Sequence, residues 1–343
     1  MARLALDGRS FGTPGQALRT ALALAAATGQ GFDISGFRTG RTRSGLQPNH
    51  LATIRAAGLV CGAKLGSAFA GSLELRFEPG PVQAGSYRFE IEKAGAATLL
   101  LETLLPALGR ASEASRVEIE GGTHVPGSPS ADYLFRHWAA AVGEIGLGVE
   151  GELRRAGFYP RGGGELEARV RPWGAAAAPA WVARGDLLRI SGVSGAARLR
   201  GDVAARQAEA MRARIWEICR VEAAIEVVAP PAAGPGSFLL LQALFANGRA
   251  AVAAIGEKGV RPEAMGDRVA RRLLKFLDGE SAVDPYLADQ LGVPLALAGG
   301  GSLTTSEVTR RLRTVVDVLN AFGIPARTWG RLGGPGGLEV DHV

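Results

Sequence analysis

The sequence is poor in the residues that build metal centres and disulfide scaffolds. Cysteine occurs twice, at Cys61 and Cys219, too far apart for a ligand pair and too few for a framework of bridges. A reducing cytoplasm is the compartment expected from that usage. Histidine occurs at 50, 124, 137 and 342, without the close spacing that zinc requires, so no metal site is expected from it. Lysine is nearly missing: of 39 basic residues only Lys64, Lys93, Lys258 and Lys275 are lysine. Alongside abundant glycine and alanine, that bias reads as genome composition rather than function. No run reaches the roughly eighteen apolar residues of a membrane span, and the apolar stretch 98–108 is interrupted by Glu102. The first eight residues lack a long apolar core. Neither a membrane anchor nor a signal peptide is expected.

What is present bounds the rest. With 343 residues and 47% hydrophobic content the chain can bury a sizeable core, as two domains or one large one. The net charge of +6 favours a polyanionic partner such as nucleic acid. The 33 acidic residues are interspersed with the basic ones, so an ordinary basic protein stays open.

Glycine and apolar periodicity divide the chain. Residues 3–6 read as a strand, 16–24 as a helix stopped by Gly29, and 32–34 as a second strand. A helix follows from Leu51 to Leu59. Leu73, Leu75 and Phe77 alternate with Glu74 and Arg76, as a half-buried strand does. Further helices are expected at 95–108 and 133–142, and a strand at 116–120. Three stretches, 12–28, 94–108 and 299–322, share one plan of a Gly-containing turn and an apolar helix, a faint internal repeat. The Ala/Pro-rich run from Pro172 to Pro179 reads as a boundary. Beyond it, 187–193, 203–219, 224–228, 238–245 and 262–276 suggest a β-α-β-β-α insert of about 95 residues.

The most informative stretch is Tyr286 to Phe322. Asp289 and Gln290 precede an apolar run, Val293 to Ala298, that reads as a strand. Gly299 to Gly301 follow, then a Ser/Thr cluster, then a helix marked by Leu312, Val315, Val316, Leu319 and Phe322. A strand, a glycine turn and a helix N-terminus form a natural anion site, because unpaired backbone N–H groups point outward there. An ordinary structural turn has the same spacing.

This stretch resembles the C-terminal signature of the RNA 3'-terminal phosphate cyclases, in which ADQL, a strand, glycines and FTTS precede TRHLLTN. Other motifs agree in order. Gly121-Gly122-Thr123-His124 to Asp132-Tyr133 is similar to GGTHxPWSPxxDY, and Gly157-Phe158-Tyr159-Pro160-Arg161-Gly162-Gly163-Gly164 to GFYPxGGG. Residues 38–50, with Arg38, Arg41, Arg43 and His50, resemble AGRxKPGLxxQH. The resemblance runs from Asp7-Gly8 to about Phe322. It implies an α/β (α+β) fold: a large domain of three repeated α/β units, residues 1–179 plus 277–343, interrupted by a smaller α/β domain, 180–276.

The resemblance further implies an ATP- and Mg-dependent enzyme that converts an RNA 3'-phosphate to a 2',3'-cyclic phosphate through an adenylylated histidine. Carried over position by position, the nucleotide would lie near Glu102, Tyr286, Leu287, Ala288, Asp289 and Gln290. RNA phosphates would meet Arg19, Arg38, Arg41, Arg43 and His50. The nucleophile's position is Arg311, and a guanidinium, always protonated, has no free lone pair with which to attack phosphorus. The family's loop glutamate falls on Gly12, two loop glycines on Thr13 and Pro14, and a glutamine on Glu102. Pro14 has no N–H to offer a phosphate. His124 is read as a structural loop residue, not a substitute nucleophile. Two functions follow. One is a cyclase-like protein that binds RNA 3' ends without the cyclase reaction. The other is an active enzyme that processes RNA ends with ATP by an altered route. Protein partners are not specified.

Overall fold

The computed structural model describes residues 3–175 and 178–341; Met1, Ala2, His342, Val343 and, within the expected boundary run, Ala176 and Ala177 lie outside the described residues. The first unit is β1 (Leu4–Asp7), α1 (Pro14–Thr28), β2 (Phe32–Ser35), α2 (Pro48–Val60), β3 (Lys64–Gly66) and β4 (Leu75–Glu78). Its sheet runs β1-β2-β4-β3. The second begins with β5 (Ser86–Glu90), α3 (Ala97–Leu108) and β6 (Ser115–Gly121). A bent helix follows, α4 (Ala131–Tyr133) passing through a π-helical turn (Leu134–Trp138) into α5 (Ala139–Glu144). Then come β7 (Val149–Arg155) and β8 (Gly164–Val170), giving a sheet β5-β6-β8-β7.

The third unit opens with β9 (Ala180–Trp181), and the chain then leaves it. The insert is β10 (Leu187–Ala197), α6 (Val203–Cys219), β11 (Ala223–Val228), β12 (Gly236–Phe245), β13 (Gly248–Ile255) and α7 (Pro262–Leu277). The unit resumes with α8 (Pro285–Leu297), β14 (Gly301–Thr305), α9 (Arg310–Ala321), β15 (Ala326–Gly330) and β16 (Gly336–Val340). Its sheet, β9-β14-β16-β15, has the same plan as the other two: a parallel first pair, then antiparallel neighbours. The fold is therefore α/β with three repeated units and a smaller α/β insert.

Local chemistry accounts for the elements. α1 starts with Pro14, whose missing N–H costs nothing in the first turn, and stops at Gly29, which takes φ 76° and returns its N–H to Ala25. β6 alternates Val117 and Ile119 inward with Arg116, Glu118 and Glu120 outward. α1, α3 and α8 are buried on most of their surface and pack on one another at the centre of one continuous core.

Two expectations are corrected. Residues 293–298 are not a strand: 293–297 form the last turns of α8, with Pro294 inside the helix, and the strand is β14. A short apolar run cannot separate strand from buried helix, and tertiary burial decided it. The insert also has a strand beyond β-α-β-β-α, since β13 completes a sheet β11-β10-β12-β13. One face of that sheet packs under α6 and α7 around Leu239, Leu241, Met211 and Leu273. The other carries Val193, Phe238 and Leu240 onto Tyr133 and Phe158 of the second unit.

Buried Asp284 ties these parts together. It caps α8 through the N–H groups of Tyr286 and Leu287 at 3.0 Å each. It also accepts from Tyr133 Oη at 3.0 Å, His137 Nε2 at 2.8 Å and the insert's Ala251 N–H at 3.1 Å. One carboxylate so fixes α8 against both the second unit and the insert. Among the described residues no helix is long and apolar enough to cross a membrane.

Candidate functional site

A cleft of about 610 Å³ lies where the three units meet the insert, within the usual size of a small-molecule site. α1 supplies Gln16 and Arg19, α3 supplies Glu102, α8 supplies Tyr286, Asp289 and Gln290, and α9 supplies Arg311. The central helices place these side chains because each unit points the same end of its buried helix at the centre. Thr309 caps α9 by accepting from Leu312 N–H at 2.9 Å, and its hydroxyl donates to Asp289 at 2.5 Å. Arg311, exposed in the first turn of α9, therefore stands beside α8. The anion-attracting helix end belongs to Thr309–Arg311, and the glycines at 299–301 instead turn the chain into β14.

Gln290 donates to Glu102 at 3.1 Å, and Arg19 donates to Gln16 at 2.9 Å. Burial raises the Glu102 pKa, opposed by the charge of Arg19, the Gln290 bond and Arg311. Burial pulls Arg19 down, with Glu102 opposing and Arg311 adding repulsion. Burial pushes Asp289 up to about 7, against the Thr309 hydrogen bond and the charge of Arg311. His50 is driven down to about 4 by burial first, then by Arg38 and Arg19. Its Nδ1 accepts from Gln47 N–H at 3.0 Å, so the ring is neutral with its proton on Nε2.

The nominated residues divide between places. Arg19, Glu102, Tyr286, Asp289, Gln290 and Arg311 share the cleft. Leu287 and Ala288 do not line it; both are fully buried in the core, and their side chains hold α8 in place. His50 neighbours Arg19: a Cβ added at Gly15 would lie 3.6 Å from both Arg19 Nη1 and His50 Nε2. Arg38, Arg41 and Arg43 sit on the exposed loop beyond His50, outside the cleft. Arg38 has φ 57° and donates to the Arg43 carbonyl at 3.0 Å, while Arg41 and Arg43 form no salt bridge among the described residues.

Gly12 is exposed, and its loop is tied to α9 by Thr13, whose hydroxyl and N–H both reach Thr314 Oγ1, at 2.8 and 3.3 Å. His124 is fully buried, 3.0 Å from Asp132 and tilted over Phe238, away from the cleft. Arg268, Arg272 and Glu257, from the insert, were not foreseen as lining residues. The polar face of α7 was a usable signal, since Arg268 and Arg272 are four residues apart. Among the described residues no group of three or more His, Cys, Asp or Glu is placed to hold a metal.

Asp289 gives a pH prediction. An ordinary carboxylate titrates near about 4, so the native chain binds this proton more tightly than the unfolded one. Stability is then expected to fall as pH rises from about 4 to 7 and to level off above, an effect of at most about 4 kcal/mol. Asp289→Asn should gain stability relative to the wild type between pH 5 and 8, read by chemical denaturation. Parallel curves would show that Asp289 titrates normally.

A family model described as RNA 3'-terminal phosphate cyclase matches residues 12–325. Proteins with that name include one from Ralstonia nicotianae, 42% identical over 318 residues, covering 92% of this chain and 90% of its own. One from Salmonella typhimurium is 39% identical over 328 residues, covering 95% of each. One from Pseudomonas fluorescens is 42% identical over 323 residues, covering 94% of this chain and 92% of its own.

Proposed function

The chain belongs to the RNA 3'-terminal phosphate cyclase family, and from that premise we propose that it holds RNA 3' ends without the family's covalent nucleotide transfer. The observation that carries this reading is Arg311. On the motif resemblance it falls where the family carries its nucleophile, and it lies in the first turn of α9, in a cleft shared with Arg19. A guanidinium there is a bidentate partner for a phosphate, not a nucleophile.

The cleft suits a nucleoside triphosphate in size and in charge. Tyr286 and Gln290 would seat the base, and Arg19 and Arg311 the phosphates. ATP, when bound, supplies activated phosphorus. Mg²⁺ normally keeps one or two protein carboxylates and takes its remaining ligands from phosphate and water, so Glu102 and Asp289 are the side chains suited to it. Asp289 protonates near neutral pH, which weakens it as a cation ligand below pH 7.

The exposed loop with Arg41 and Arg43 adds cations without salt-bridge partners among the described residues, on the His50 side of the end site, where phosphates of the bound strand can be held. Binding of single-stranded RNA should weaken steeply with salt, by a log–log slope of about −0.7 per phosphate neutralised. Arg41→Ala and Arg43→Ala should each flatten that slope by somewhat under one and weaken unrelated sequences alike. Salt-independent binding, measured by titration of a labelled strand, would rule out the phosphate clamp.

The names of the relatives favour a second reading, in which the chain still processes RNA ends with ATP. That route would proceed without a covalent enzyme intermediate at position 311.

A further inference from the structure

A second cleft, of about 1320 Å³, adjoins the first: Tyr286 and Arg272 line both. We propose that it carries the single-stranded RNA leading away from the bound 3' end, with Trp329 as a platform on which an unpaired base stacks. The inference rests on the end-binding reading above.

Trp329 projects from β15, 39% exposed, and Tyr286 is 48% exposed. The indole is held in place. It lies over Gly337 of β16, where an added Cβ would come within 2.1 Å of Cζ2, so only glycine admits the ring at that distance. Arg272 and Lys275 project from one side of α7 into the same cleft. Both are exposed and neither forms a salt bridge among the described residues; Arg272 reaches only the Tyr286 hydroxyl, at 3.5 Å. Arg184 is already committed to the Phe276 and Leu277 carbonyls.

Single strands are recognised by this combination, aromatic faces that accept any base and a few cations that follow the backbone. Glu280 and Glu307 also line the cleft. They repel phosphates and acidic peptides alike, so stacking on Trp329 is the larger part of the attraction for a nucleic acid. Continuity with the end site through Tyr286 and Arg272 is what selects RNA.

The test is equilibrium binding of a trinucleotide and a decanucleotide, both single-stranded and 3'-phosphorylated. The wild type should bind the decamer more tightly, and the decamer alone should change the tryptophan fluorescence. Trp329→Ala should cost the decamer roughly tenfold to a hundredfold and leave the trimer unchanged. Trp329→Phe should retain most of the gain, and Lys275→Glu, at an exposed position, should weaken only the decamer. Equal affinity of the wild type for the two lengths would overturn the proposal and leave end binding standing. So would a length gain that survives both Trp329→Ala and Lys275→Glu, or a Trp329→Ala loss equal for trimer and decamer. Failure of the wild type to bind either strand would instead remove the end-binding reading, and this inference with it.

Discussion

Incubated with Mg²⁺ and ATP labelled at the α-phosphorus, then denatured, the chain is expected to carry no label. On the resemblance the family captures the nucleotide on a histidine nitrogen, and Arg311, which falls at that position, has no free lone pair at any accessible pH. The other described histidines do not replace it. His124 is buried, with its ring nitrogens 2.9 Å from Thr123 and 3.0 Å from Asp132. His137 is buried, donates to Asp284 at 2.8 Å and meets Gln242 at 3.3 Å. His50 uses the lone pair of Nδ1 to accept from Gln47 N–H, and it does not line the cleft. Denaturing electrophoresis checks the expectation, and stable label on any residue would contradict it. Arg311→His alone should restore much less than full cyclase turnover, because Gly12 and Glu102 still depart from the family's pattern. Full turnover in that single variant would show that those two positions matter little.

The repeat was legible in glycine placement and in apolar periodicity, because helices buried at the centre of a molecule must be apolar on most of their surface. Asp289, Gln290, Glu102 and Arg19 could be nominated because the resemblance fixed their positions along the chain. Leu287 and Ala288 were nominated for the same reason, and neighbours in sequence on a helix face different ways. β13 was not legible, since its run of alanines has weak strand preference; pairing with Leu239–Leu241 of β12 makes it a strand. Arg268 and Arg272 were missed because their place in the cleft depends on how the insert docks. That docking runs through Asp284 and the Phe158–Phe238 contact, neither of which is a local property of the chain.

Arg311 as a clamp for a terminal phosphate is tested most directly by the affinities of one RNA carrying either a 3'-phosphate or a 3'-hydroxyl. A charge-assisted bond to a guanidinium is worth about 1.5–3 kcal/mol, so the phosphorylated end should bind roughly tenfold to a hundredfold more tightly. Arg311→Ala should erase that preference while leaving the hydroxyl-ended strand bound nearly as before, since the loop arginines and Arg19 remain. Equal affinity of the wild type for the two ends would contradict the account.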